Sequence, residues 1–130
     1  MTIEFNANAS DLHRACLRLA ARLSEMPGAD EKPINFKVTL TRLGMTVDKN
    51  SAKIMVEAQR AGYASIPFTI LAGLVHVLPY FGSTNVEIGF SPGRVRVDTT
   101  VFHSRSILVS SSSGTERRRS SSRERTLQLV

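Results

Sequence analysis

A chain of 130 residues, 42% hydrophobic and 22% charged with a net charge of +6, suits one domain with a real core and allows an acidic partner. No apolar run approaches the ~20 residues that cross a bilayer, and MTIEFNANAS lacks a basic stretch followed by an apolar one, so neither a membrane span nor a secretory signal is expected. The single cysteine, Cys16, excludes an intramolecular disulfide framework and points to a reducing, cytoplasmic setting.

Thr2 to Ala7 is the first strand candidate, with Ile3 and Phe5 on one face. Ser10 is placed to cap the helix that follows, with Asp11 beside its positive end. That helix is expected from Asp11 to Met26 and buries Leu12, Cys16, Leu19, Ala20 and Leu23. Arg14, Arg18 and Arg22, spaced by four, stack on its opposite face. Cys16 on the buried side acts as a small apolar residue. Pro27-Gly28 stops the helix, and a polar loop runs from Ala29 to Pro33.

Three extended segments come next. Ile34, Phe36, Val38 and Leu40 alternate with Asn35, Lys37, Thr39 and Thr41, the clearest period-two run in the chain. Arg42-Leu43-Gly44 is expected to turn, and Met45 and Val47 to begin the second strand. Asp48 to Ser51 is a further turn, and Ile54, Val56 and Ala58 mark the third strand. A break at Arg60-Ala61-Gly62 leads into a strand from Tyr63 to Ile66.

Pro67 biases Ile66 towards extended backbone. Ile70, Leu71, Leu74, Val75 and Leu78 then form the apolar face of a second helix, which Pro79 and Gly82 end. Val86, Ile88 and Phe90 alternate on a strand, Ser91-Pro92-Gly93 turns, and Val95 and Val97 alternate on the return. After a turn near Asp98 to Thr100, a last strand holds Phe102, Ile107 and Val109. The expected core is Leu12, Leu19, Leu23, Phe36, Val38, Leu40, Ile54, Val56, Leu71, Leu74, Leu78, Val86, Ile88 and Val95.

Written as elements, the chain is β-α-β-β-β followed by β-α-β-β-β, over about Thr2 to Gln59 and Gly62 to Val109. A repeated unit of this kind predicts two halves packed about a pseudo-twofold axis in one α+β domain. Residues 1–109 form that domain and 110–130 a linker and tail. Ser110 to Ser113 with Gly114 has linker composition. The remainder holds five arginines, Arg117, Arg118, Arg119, Arg123 and Arg125, against Glu116 and Glu124.

This order of elements resembles one domain of the DNA sliding clamps, and the bacterial DNA polymerase III beta subunit in particular. The resemblance rests on Ile66-Pro67-Phe68, Ile70-Leu71, Leu74-Val75, Leu78-Pro79, Val86-Glu87-Ile88 and Gly93-Arg94-Val95-Arg96-Val97. Leu43-Gly44-Met45-Thr46-Val47 matches a hairpin of the same family. It implies two helices on one face of a continuous antiparallel sheet, and a non-enzymatic module that tethers or encircles double-stranded DNA. Bacterial clamp subunits carry three such domains and the other clamps two. One domain here implies six copies of the chain, or a partner chain, for a ring.

The resemblance turns Arg14, Arg18 and Arg22 towards backbone phosphates, where charge at the right spacing suffices. His76, on the second helix away from Leu74 and Leu78, joins that surface. Arg117, Arg118 and Arg119 form a basic arm for nucleic acid, and Leu127-Gln128-Leu129-Val130 faintly resembles clamp-docking peptides without their terminal aromatic. Each has a plainer alternative: a solvated helix face, a surface histidine, a solubilising tail.

No enzyme is expected. His13, His76 and His103 lack ligand spacing for zinc, the glycines fit turns and strands rather than a phosphate loop, and no serine sits in a nucleophile elbow. No cofactor is called for. The alternative is a protein-interaction or assembly module that reuses the fold without DNA, making its contacts through sheet edges. A small-ligand binder or enzyme in a cleft between helices and sheet is weaker still.

Overall fold

The computed structural model describes residues 2–25, 28 and 32–111. In chain order they form β1 (Ile3–Asn8), α1 (Ala9–Leu23), β2 (Ile34–Val38), β3 (Arg42–Val47), β4 (Asn50–Ala58) and β5 (Gly62–Ile66). There follow α2 (Phe68–Val77) with a 3-10 turn at Leu78–Phe81, then β6 (Asn85–Ser91), β7 (Arg94–Val97), β8 (Thr100–His103) and β9 (Leu108–Ser111). All nine strands join one antiparallel sheet in the order β8-β7-β6-β1-β4-β3-β2-β5-β9. The chain is thus a small α+β domain with one sheet and two helices.

Alternation sets which face is covered. In β1 the buried residues are Ile3, Phe5 and Ala7, in β2 Ile34, Phe36 and Val38, and in β6 Val86, Ile88 and Phe90. They share one core with Leu12, Cys16, Leu19 and Leu23 of α1 and with Ile70, Leu71 and Leu74 of α2. The opposite faces of the strands carry most of their polar residues and face solvent, with Met55, Tyr63, Val101 and Leu108 exposed among them.

The sheet curls strongly. Gly62 opens β5 and Ile3 opens β1, with three strands between them in sheet order. Even so, a Cβ placed on Gly62 falls 2.3 Å from Cδ1 of Ile3, so the two ends meet across the core and only a residue without a side chain fits.

Several boundaries differ from the sequence expectation. Helix α1 begins at Ala9 and its cap is Asn8, not Ser10: the Asn8 side chain accepts from the Asp11 N–H at 3.1 Å. The side-chain amide of Asn8 donates to the Ser83 carbonyl at 2.7 Å, tying the helix start to the approach of β6. The helix stops at Leu23, with the Ser24 N–H donating back to the Ala20 carbonyl, and Met26 and Pro27 lie outside the described residues.

The β2–β3 hairpin turns at Thr39–Arg42 rather than at Arg42-Leu43-Gly44. The Thr39 amide donates to the Arg42 carbonyl at 2.9 Å, and the Thr39 hydroxyl accepts from the Arg42 amide at 3.0 Å. Leu40 is therefore a turn residue, 55% exposed, and not part of the core. Leu43 takes the buried position instead. Ile54 is only half-buried, and the other twelve residues of the expected core are buried as proposed.

The last extended segment is two strands. The Ser104 amide donates to the Gly93 carbonyl, and the Gly93 amide donates to the Ile107 carbonyl, which breaks the run between β8 and β9. β9 pairs with β5 through Ser111, so the sheet takes up Ser110 and Ser111 at the start of the expected linker.

On the outer face, the Arg96 guanidinium lies over Gly89. It reaches Glu4 on β1 at 3.1 Å and Glu87 on β6 at 3.6 Å. The missing side chain at Gly89 lets Arg96 cross β6 to bridge both carboxylates.

Candidate nucleic-acid interface

Helix α1 is amphipathic. Ala9, Leu12, Ala15, Cys16, Leu19 and Leu23 face the core, and Arg14, Arg18 and Arg22 share the exposed side with Leu17 and Ala21. Spacing by four residues sets successive arginines about 6 Å apart along the axis. Arg14 is held by Asp11 at 2.5 Å, one turn earlier. Arg18 and Arg22 make no ion pair among the described residues.

What stands beside this face is set by the sheet. β4 changes partner along its length. Asn50 to Met55 pair with β3, and only Val56 to Ala58 reach β1. The other edge of the first part of β4 is left facing α1, and two clefts separate them. One, of about 280 Å³, lies between Arg18, Leu19 and Arg22 of the helix and Lys49 to Ser51. The second, of about 310 Å³, lies between Asp11, Arg14, Ala15 and Arg18 and Lys53 to Met55.

Arg18 walls both clefts, so they form one trough lined by Arg14, Arg18, Arg22 and Lys49, with Lys53, whose side chain alternates onto the outer sheet face, at its rim; among the described residues Asp11 is the one carboxylate that lines it. Lys49 occupies the two-residue turn of the β3–β4 hairpin, and Lys53 alternates with buried Ala52. Neither lysine carries a sequence signal for this site. Their membership depends on where β4 parts from β1, which is a matter of register.

His76 is exposed on α2, as expected, away from buried Leu71, Leu74 and Leu78. It lines neither cleft. Arg117, Arg118, Arg119 and the Leu127 to Val130 segment lie outside the described residues.

Cys16 is buried under α1, and burial pushes its thiol up to about 12. A thiol held protonated in this way is a packing group and not a nucleophile. Among the described residues, no cluster of His, Cys, Asp or Glu is placed to hold a metal ion, and no helix is long and apolar enough to cross a membrane.

The trough offers fixed positive charge and open access, a combination that suits a polyanion gripped through its charge. In comparisons with known proteins, no family model matches the chain and no curated protein matches it either.

Proposed function

We propose that this protein is a non-enzymatic, clamp-like module that holds double-stranded DNA through its backbone phosphates. The observation that carries the proposal is the trough, in which the arginine face of α1 is joined by Lys49 of the β3–β4 turn, with Lys53 of β4 at the rim. Contacts of this kind position a protein on the duplex without reading sequence.

The strand pairing supports the clamp-like, duplicated architecture. β1 lies between β6 and β4, and β5 lies between β2 and β9. The β2–β3 hairpin has its counterpart in β6–β7, and β3–β4 in β7–β8. The last two hairpins each close through two residues led by an aspartate of positive φ, Asp48 at 52° and Asp98 at 55°. In this scheme β8 and β9 together take the place of β4, whose first part pairs with β3 and whose end pairs with β1. A ring of six domains then calls for self-association or a partner chain, which a solution mass measurement decides.

The test is binding to nonspecific duplex DNA over a range of salt. Replacing Arg14, Arg18 and Arg22 together by alanine should weaken binding about equally for all sequences. It should also flatten the salt dependence by roughly 0.9 log–log units for each phosphate that is no longer neutralised. Undetectable binding by the unaltered protein at low salt overturns the proposal. The second reading, a protein-interaction module, is favoured by a different observation: Tyr63 and Leu108 are large, apolar and exposed on the outer sheet face.

A further inference from the structure

The outer face of the sheet carries a hollow of about 520 Å³. Its geometry follows from the strand register. Gly44 of β3 stands opposite Lys37 of β2 on one side and Lys53 of β4 on the other. Lys37 in turn stands opposite Tyr63 of β5. Residues directly opposite in an antiparallel sheet share a face, so Lys53, Gly44, Lys37 and Tyr63 form one row across four strands. Leu108 of β9, opposite Ser65, flanks the row.

Gly44 sets the floor. A Cβ built there meets nothing within 4 Å, and its φ is an ordinary one, so the position is open space that any strand residue can fill. On either side, one strand spacing of about 4.8 Å away, stands a lysine. Among the described residues no carboxylate lines the hollow and neither lysine has an ion pair. At the other end Tyr63 is 44% exposed and Leu108 64%. The hollow is therefore cationic at one end and apolar at the other, the apolar end lying two to three strand spacings, about 10–14 Å, from Gly44.

We infer that this hollow docks an extended acidic segment of a partner protein, with a carboxylate seated over Gly44 between Lys37 and Lys53 and a large apolar side chain over Tyr63 and Leu108. Extended chain advances about 3.3 Å per residue and side chains on one face recur at every second residue, so the two recognised side chains, both facing the hollow, stand four positions apart. Charge selects this occupant over the nearest one in the chain itself. Residues 112–130 follow directly from β9, but they carry five arginines against two glutamates and would bring like charge to the lysines. Duplex DNA would satisfy the lysines through phosphate but keeps its bases stacked inside, and so leaves the apolar end without a matching group.

The probe is the fluorescein-labelled peptide Ser-Asp-Thr-Ser-Thr-Phe-Ser, titrated with the full-length protein by fluorescence anisotropy. Asparagine in place of the peptide's aspartate, or alanine in place of its phenylalanine, should weaken binding by about tenfold. Lys37→Ala should have a similar effect. Gly44→Val fills the floor without touching a charge and should abolish binding while thermal unfolding shows an intact fold. Four results overturn the inference. They are no binding of the aspartate peptide at millimolar protein, equal binding of the asparagine peptide, undiminished binding by a folded Gly44→Val, and tighter binding after deletion of 112–130, which would make the chain's own segment the occupant. Loss of duplex DNA binding in Gly44→Val would also overturn it, by assigning the hollow to nucleic acid.

Discussion

The rings of Phe36 and Phe90 meet edge to face in the core, with centroids 5.3 Å apart and planes at 79°. They come from β2 and β6, which are not neighbours in the sheet. Phe90 also meets Phe5 of β1 at 5.4 Å. The curl of the sheet is thus closed by aromatic contact between its two halves. Phe90→Ala is expected to cost about 3–5 kcal/mol, and Phe36→Ala a similar amount, in denaturant unfolding. The double variant should show a coupling of about 0.5–1.5 kcal/mol. Strict additivity would mean that the rings do not stabilise each other.

Two strand glycines should respond in opposite ways to the same change. At Gly62 a Cβ meets Ile3 Cδ1 at 2.3 Å and the Ser110 carbonyl at 2.9 Å, and the second of these is backbone that cannot swing aside. Gly62→Ala is expected to cost roughly 1–3 kcal/mol by overpacking. At Gly44 there is nothing to meet, and alanine removes the entropy penalty of glycine in a strand, so Gly44→Ala should raise stability by up to roughly 0.5–1 kcal/mol. Thermal unfolding of the two variants side by side decides both. A stable Gly62→Ala would mean that β1 and β5 do not approach as described.

The buried thiol of Cys16 makes stability fall in alkaline solution. Its folded value is raised by desolvation from 9.0 to about 12, so between these limits the unfolded chain has lost a proton that the folded protein keeps. The sign follows: the contribution is intact below pH 9 and is lost as pH rises towards 12. Unfolding free energy measured against pH should fall less steeply in that window for Cys16→Ala than for the unaltered protein. A thiol reagent should label Cys16 only under unfolding conditions. Rapid labelling of the native protein would contradict its burial.

Period-two and helical alternation in the sequence makes most of the core legible, because burial of one face is a local property of each segment. Ile34, Phe36 and Val38 show one face of a strand for that reason. Leu40 continues the same alternation but leaves the core, because Thr39 closes a turn onto Arg42 with two hydrogen bonds and ends the strand first. Ser10 and Asn8 are both residues that cap helices, and their local sequence does not choose between them. What decides is a contact remote in sequence, the Asn8 side-chain amide to Ser83. The candidate site divides in the same way. The arginine stripe is a helical period and is visible in the text of the chain. Lys49 and Lys53 border it only because β4 leaves β1 after three paired residues, and no local pattern encodes that parting.

Lys49 gives the sharpest test of the trough. It sits exposed in a hairpin turn and carries no ion pair among the described residues, so Lys49→Ala should leave thermal unfolding unchanged within about 0.5 kcal/mol. If DNA phosphates lie between α1 and β4, the same change should weaken duplex binding for every sequence and lower the salt slope by roughly 0.9. Lys37→Ala, on the outer face, removes an equal charge and should leave the slope unchanged, which separates a local contact from general loss of positive charge. Asp11→Asn should act in the opposite direction on binding. Asp11 holds Arg14 at 2.5 Å and is the single carboxylate lining the trough, so its removal frees a cation and should tighten binding. It should also cost about 0.3–1 kcal/mol of stability, because a negative charge in the first turn of α1 favours the helix. Weaker binding in Asp11→Asn, or equal slopes for the two lysine variants, would place the phosphates elsewhere on the protein.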